Sequence, residues 1–463
     1  MSGRAVAPGI VVLAAVAVLA ASCASDPDAS TSTSTSAEAG AVDAGATRDA
    51  ADTRDAAGGA DAPSDAPTEG GAADPCTGKT VACPTAPAGF TEGGGVAAID
   101  RCAFPMKIGG GFATSGALVT ALETVAPHVT TAAVFADLNR TAVSNKTPPG
   151  GAAAVQIGFE WETEEETSTT WTPQGLTGSA DASPTGLVDG KRIVVASFYY
   201  TPPSGSTYEK GVRIAFVDVT TPGTPKYRFA LLVEPKGTAA APDFAPILVH
   251  AGGLVWFGNL LYVADTGKGF RVFDMSRIMQ VATDTDVIGC TGGVCHAGLY
   301  KYVVPQIGTY GDTSACAPIY SYVALDRSTS PPSLVSGEYC SAAPTVCNGN
   351  ALSGRAFRWP LDPVTGKLAG AATSWPSEAL LLGQKQVQGA VSRNGTFYMS
   401  SSAPAGAGGA LYRVKPGKSA TSAWVDSPED LMIDEPNGLV WSLSEGVNAR
   451  VVFGASLASY PPP

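Results

Sequence analysis

The chain has 463 residues, with 29 basic and 41 acidic side chains, a net charge of −12 and only 15% charged residues. That balance argues against a nucleic-acid partner, which calls for a basic surface. The 54 glycines and 35 prolines exceed ordinary usage and point away from a helical bundle. Length alone suggests about three domains of roughly 150 residues, but an all-β ring can use more than 200 residues as one.

One positive charge, Arg4, precedes an apolar run that ends in small residues near Ala21, the pattern of a secretory signal over residues 1–22. Pro8 and Gly9 interrupt this run, which is already short for a bilayer span. The run Leu19-Ala20-Ala21-Ser22-Cys23 resembles a bacterial lipobox, whose cysteine is lipidated and becomes the mature N-terminus. Ala20 stands where lipoboxes prefer leucine, and ordinary cleavage near Ala21 is the alternative. The expectation is an exported chain anchored to a membrane through lipid on Cys23, or else secreted. From Asp26 to Asp74 there are eleven acidic residues, two arginines and no aromatic residue, and Val42 is the only aliphatic besides alanine. Residues 23–75 therefore read as a disordered tether, because they cannot bury enough apolar area to offset chain entropy. The body that follows is close to neutral.

After Cys23 the cysteines are Cys76, Cys83, Cys102, Cys290, Cys295, Cys316, Cys340 and Cys347. An even number behind an export signal reads as disulfides. Local pairs Cys76–Cys83, Cys290–Cys295 and Cys340–Cys347 suggest themselves, which leaves Cys102–Cys316 as a long-range staple; sequence alone does not decide the connectivity. No C-x-x-C occurs, and His296 beside Cys295 is the sole Cys–His neighbour, so metal binding by these cysteines is the weaker reading.

Residues 76–117 read as a cysteine-containing extension and 118–463 as an all-β domain. Several segments share one grammar of apolar strand, Gly turn and second apolar strand. They include TGLVDGKRIVVASFYY, GGLVWFGNLLYVADTGKGFRVFDMS, VQGAVSRNGTFYMSSS and EDLMIDEPNGLVWSLSEG. Asp189-Gly190, Gly258-Asn259, Asn394-Gly395 and Asn437-Gly438 are hairpin signals, because Gly and Asn tolerate positive φ. A degenerate copy lies in YSYVALDRSTSPPSLVSGEY, with Ser330-Pro331-Pro332 in place of the turn. Such repeats bury their faces only against each other, which fits a β-propeller. Five copies are visible, and six or seven blades remain open; a β-sandwich is the alternative.

The segment Leu260 to Met275, LLYVADTGKGFRVFDM, resembles the blade motif of YncE-like, NHL-like and gluconolactonase-like propellers. HAGGLVWFG, KYVVPQIGTY, ALDRS, GEY, VQGAVSRNGTFYMSSS and PEDL resemble a group of secreted bacterial proteins, from roughly His250 to the C-terminus. This resemblance implies a propeller with loop-borne function and brings no activity with it.

Histidine is scarce: His128, His250 and His296. His250 precedes a blade in LVHAGG, and His296 lies in CHAGLYKY on a segment expected to be clamped by Cys290–Cys295. Asp265 ends a strand after YVA, and Glu429 and Asp430 open the last blade. Together His250, Asp265, His296, Glu429 and Asp430 form the candidate ligand, metal or acid/base cluster. The competing reading is packing for each histidine and local turn capping for Asp265. No cofactor motif is evident, and a divalent metal is the one cofactor the cluster would admit. G-x-S-x-G, H-E-x-x-H and a phosphate-cradling loop are absent, and the catalytic residues are unknown. A gluconolactonase-type site also asks for carboxylate and amide ligands on later strands, which cannot be placed here. The acidic run from Glu160 to Glu166 reads as a solvated edge that discourages sheet pairing. Trp256, Phe257, Trp359, Trp375 and Trp424 are candidate stacking surfaces or core.

Two functions follow. The first is a surface-tethered propeller that binds a glycan, peptide, small molecule or protein through loops on one face. The second is a secreted metal-dependent hydrolase or lactonase. The absence of a catalytic motif favours the first.

Overall fold

Runs of Val, Ile, Leu, Tyr and Phe between Gly and Asn turns fold as short strands, and these collect into five four-stranded antiparallel blades. The computed structural model describes residues 74–463 except 92, 110, 341–353 and 403–407. The signal peptide, Cys23, nearly all of the tether and Cys347 lie outside the described residues.

In order from the axis outward, blade 1 is Trp171–Gly178, Ile193–Tyr200, Val212–Asp218 and Lys226–Gly237. Blade 2 is Leu254–Phe257, Leu260–Asp265, Gly269–Asp274 and Tyr302–Asp312. Blade 3 is Tyr320–Asp326, Ser333–Glu338, Arg355–Pro360 and Glu378–Leu381. Blade 4 is Val387–Arg393, Thr396–Ser401, Ala410–Lys415 and Lys418–Ala423. Blade 5 takes Pro428–Asp434, Leu439–Ser444 and Val451–Ser456 from the end of the chain, and its fourth strand, Val155–Glu160, from before blade 1. The described residues thus form a five-bladed β-propeller, and the degenerate copy around Ser330-Pro331-Pro332 is blade 3.

The hydrophobic core lies between blades rather than at the centre. Val195, Ile214, Trp256 and Leu261 fill the wedge between blades 1 and 2, and Tyr262, Phe270, Phe357 and Trp359 the next. Tyr322, Val335, Met399 and Val414 pack between blades 3 and 4, and Tyr398, Trp424, Leu431 and Phe453 between 4 and 5. Trp161, Phe198, Tyr227, Trp441 and Val452 fill the last wedge and close the ring. Trp256, Trp359 and Trp424 are therefore buried in wedges and offer no stacking face.

Closure joins Val451 to Glu160 and Val452 to Phe159. The run from Glu160 to Glu166 is part of this latch, which corrects the solvated-edge expectation. Glu160 ends the closing strand and Trp161 is buried. Glu165 is fully buried, ion-paired to Arg140 and hydrogen-bonded by the Tyr227 hydroxyl. Arg450 donates from its backbone to Glu166 Oε1 (2.9 Å) and from its guanidinium to the Glu165 carbonyl. Acidic side chains here face fixed cations across the seam, so alternation along the sequence misstates their exposure.

The extension from Cys76 covers strand edges. Ala97–Ile99 pairs with Glu378–Leu381 of blade 3, and Met106–Gly109 with Tyr302–Asp312 of blade 2. The helix Phe112–Leu122 lays Val119 and Leu122 on Leu231, Val233 and Val303 of blades 1 and 2. The outer strands of these two blades also pair in parallel, from Tyr302 with Ala230 to Pro305 with Val233.

Cys290–Cys295 forms as expected. Cys76 pairs with Cys102 and Cys83 with Cys316, in place of Cys76–Cys83 and Cys102–Cys316. The short turn Arg101–Ala103 folds back beside Asp74, to which Arg101 is ion-paired, and this puts Cys102 next to Cys76. Cys83 is left to tie the extension to the segment entering blade 3. Cys340 is also disulfide-bonded. These bonds fit an oxidising compartment. Among the described residues no helix is long and apolar enough to cross a membrane.

Candidate functional site

All five inner strands run the same way along the axis. Near their starts, Gly389 lies against the backbone of Asp430, and Gly253 against Tyr322 and Val323. A Cβ at either glycine would collide with main chain, so the inner strands approach closely only because the residue is glycine. Asp430 locks this level. Its Oδ2 accepts the backbone N–H groups of Leu176 (2.9 Å) and Leu254 (3.2 Å), which joins blades 5, 1 and 2. Complete burial raises the Asp430 carboxyl well above the usual carboxylate range, against the pull of those N–H donors.

Above this floor, where the inner strands begin, residues of blades 1, 2 and 5 meet. Tyr199 near the end of the second strand of blade 1 stacks on His250, with ring centroids 4.3 Å apart and planes 27° apart. Ala251, at φ +56°, turns the chain sharply from His250 into blade 2. His250 is solvent-exposed, and desolvation by the protein around it lowers its pKa. The Tyr199 phenol is raised first by burial and then by the Glu445 and Glu429 carboxylates, while Thr172 hydrogen-bonds it. Burial also raises Glu445, opposed by a 2.8 Å hydrogen bond from the Gln174 amide and by Arg450.

His250 and Glu429 thus stand around Tyr199, and Asp430 lies at the same end of the axis one residue on. The structure does not bring Asp265 and His296 to this mouth. Asp265 also closes a second strand, but it turns outward along blade 2 to Arg271 (2.7 Å), which continues to Gln306 and Glu234. His296 sits in the hairpin formed by Ile288–Thr291 and Val294–Ala297, bonded to exposed Asp284 at 2.8 Å. That hairpin packs on Asp243 beside the outermost strand of blade 1, since Cys290 N donates to Asp243 Oδ1, so its disulfide pins the rim. His128 is exposed near Glu123.

Sequence reasoning missed Tyr199, Gln174, Glu445 and Arg450. A signal existed: an acid at or just past the end of a second strand meets an arginine at or near the start of the third. Glu338 with Arg355 (2.5 Å) and Asp265 with Arg271 are two copies, and Glu445 with Arg450 is the third. Among the described residues no group of three or more His, Cys, Asp or Glu could hold a metal ion.

The fold defines a five-bladed propeller, and at one end of its axis an aromatic pair and a carboxyl–amide pair come together. No family model matches the sequence, and no curated protein matches it. Among solved structures the chain resembles the β-xylosidase RS223 at 10% identity and a TM-score of 0.32, over 61% of this chain and 91% of that one. It resembles a GH43_1 enzyme from Xanthomonas citri at 9% identity and a TM-score of 0.30, over 73% and 92%. The β-propeller domain of Myceliophteria thermophila Cps50 (Swd1) gives 7% identity and a TM-score of 0.32, over 65% and 99%. Likeness at these scores carries no activity to this chain.

Proposed function

We propose that this protein is an exported propeller, held at the bacterial cell envelope by lipid on Cys23, that binds a neutral polyhydroxylated ligand, a glycan, at the mouth where its inner strands begin. The observation that carries this reading is the accessible Tyr199–His250 stack beside Glu445 and Gln174. A ring face packs against the C–H face of a sugar, and carboxyl and amide groups exchange hydrogen bonds with its hydroxyls. Glu445 already accepts from the Gln174 amide at 2.8 Å, which holds both polar groups in place. The gluconolactonase-type alternative asks for a metal-ligating set that the described residues do not assemble.

A microarray of neutral oligosaccharides tests the reading. The full chain is expected to bind a subset, and Tyr199→Ala to lose at least tenfold in affinity while melting near wild type. Binding to no glycan, or equal binding by Tyr199→Ala, refutes it. Release of reducing sugar or lactone opening by the wild type would favour the hydrolase instead. Cys23→Ala is expected to move the protein from the membrane to the soluble fraction.

A further inference from the structure

Four of the five blades carry further chain on their outermost strand. Ala97–Ile99 covers blade 3, Met106–Gly109 blade 2, Arg140–Thr141 and Pro242–Pro246 blade 1, and Val143–Ser144 blade 5. Among the described residues no further strand pairs with the outermost strand of blade 4, Lys418–Ala423. This strand runs in unbroken register against Ala410–Lys415, with no proline and no bulge to blunt its edge. Trp424 N turns inward to the Gly409 carbonyl (2.8 Å). Backbone direction alternates along an antiparallel strand, so Ser422, Ala420 and Lys418 also turn inward. Ser419, Thr421 and Ala423 therefore present their N–H and C=O groups outward, and all three residues are exposed.

The fifth-strand position beside blade 4 is filled only at its two ends. At one end Val96 bridges to Pro416, and Gly95 lies against the backbone of Lys415, Gly417 and Lys418. At the other, Gly150 bridges to Val425, Gly151 N donates to the Trp424 carbonyl (2.7 Å) and Asp426 N to the Pro149 carbonyl (2.9 Å). Between them Ser419–Ala423 stays open, room for a segment of about five residues. Lys415 and Lys418 face each other across the Pro416-Gly417 turn at the start of this gap, and neither makes an ion pair among the described residues. Two adjacent cations without counter-charges call for carboxylates. Tyr412, opposite Thr421 and half-buried, lies on the face that an added side chain would share. A second copy of the edge does not fit. Antiparallel self-pairing centred on Thr421 would lay its Pro416-Gly417 turn where Gly150 already pairs with Val425.

We propose that the outer edge of blade 4 is a docking site for a short extended peptide of a partner protein, acidic at one end, which adds as a fifth strand along Ser419–Ala423. Main-chain hydrogen bonds to Ser419, Thr421 and Ala423 supply affinity, and carboxylates beside Lys415 and Lys418 fix the direction of the peptide. The site lies on the circumference of the ring and does not rest on the glycan reading.

Fluorescence polarisation of the full chain with labelled peptides of alternating Thr and Val tests this, one ending in an Asp-Glu pair and one beginning with it. Antiparallel addition brings C-terminal acids to Lys418, and parallel addition brings N-terminal ones. Saturable binding of one peptide is expected, with a loss of about tenfold or more when a Lys pair replaces its acids. N-methylation of one alternating set of its amides is expected to abolish binding, and of the other set to leave it, because an edge strand uses every second N–H. Thr421→Pro removes one outward N–H at an edge that tolerates proline, and is expected to weaken binding about tenfold while melting near wild type. Failure of both acidic peptides to bind saturably overturns the proposal. So does equal binding by the Lys-ended peptide, indifference to which amides are methylated, or undiminished binding by a folded Thr421→Pro. If that variant does not fold, the methylated peptides decide. A wild-type dimer in sedimentation that Thr421→Pro abolishes would assign the edge to a second copy and overturn the proposal as well.

Discussion

Asp181→Asn has a consequence for stability that is separate from any ligand. The carboxyl is buried and its pKa is raised from 3.8 to about 7, chiefly by desolvation. In the unfolded chain it ionises near the ordinary value, while the native state keeps its proton until about neutrality. Across that window the native state binds one more proton than the unfolded state, so this group's contribution is fully present below its unfolded pKa and is lost as pH rises through the folded one. The slope is about 1.4 kcal/mol per pH unit, and the whole change about 4 kcal/mol. Asparagine does not titrate, and its carbonyl still accepts the Thr177 hydroxyl. The stability of Asp181→Asn relative to wild type should therefore climb by about 4 kcal/mol between pH 4 and pH 8. Urea unfolding midpoints at half-unit pH steps measure this difference, and groups common to both proteins cancel. Two curves that stay parallel across the range refute the argument, whatever their constant offset.

Trp161→Ala, which empties the wedge against Phe159, Phe198 and Tyr227 at the ring's seam, should cost about 3–5 kcal/mol in denaturant unfolding. Glu338→Gln leaves the fully buried Arg355 without its counter-charge and should cost a similar 3–5 kcal/mol, read as a fall in melting temperature. Gly253→Val drives a side chain into the Val323 backbone and should cost at least about 1–3 kcal/mol, seen as reduced soluble yield and a lower melt. Removing Cys83–Cys316 with paired serines should cost about 2–5 kcal/mol, because 233 residues separate the two ends.

How far the sequence could be read depended on whether partners were local. LLYVADTGKGFRVFDM was legible because Leu260–Asp265 and Gly269–Asp274 pair across one tight turn. Asp189-Gly190 and Asn394-Gly395 carry the positive φ those turns demand. Asn437-Gly438 differs: Glu435–Asn437 forms a turn of 3-10 helix and Gly438 alone is left-handed. His250, Glu429 and Asp430 were placed at one end because each begins or precedes an inner strand. Tyr199 was missed because its role comes from the neighbouring blades and nothing in FYY announces it, and Glu445 because its spacing to Arg450 shows as a repeat only once the strands are aligned. Asp265 shares the position of Glu338 but is drawn away by Arg271, a cross-strand pair that depends on register. Val155–Glu160 and Ala97–Ile99 were not assigned to blades, since their partners lie hundreds of residues downstream.

That wiring dictates an order of assembly. Synthesis delivers Val155–Glu160 first and its partner Val451–Ser456 last, so the ring cannot shut until almost the whole chain is present. Until then Val155–Glu160, paired only with Val143–Ser144, keeps one open edge, while Met106–Gly109 and Ala97–Ile99 wait for blades 2 and 3. Contacts of such long range form slowly, because loop closure must come before any of them contributes. A chain cut after blade 4 would keep four complete blades in its sequence and still lack one wall of the final wedge. Such a fragment would expose Trp161, Phe198 and Tyr227 together, turning the seam of the native ring into a sticky surface.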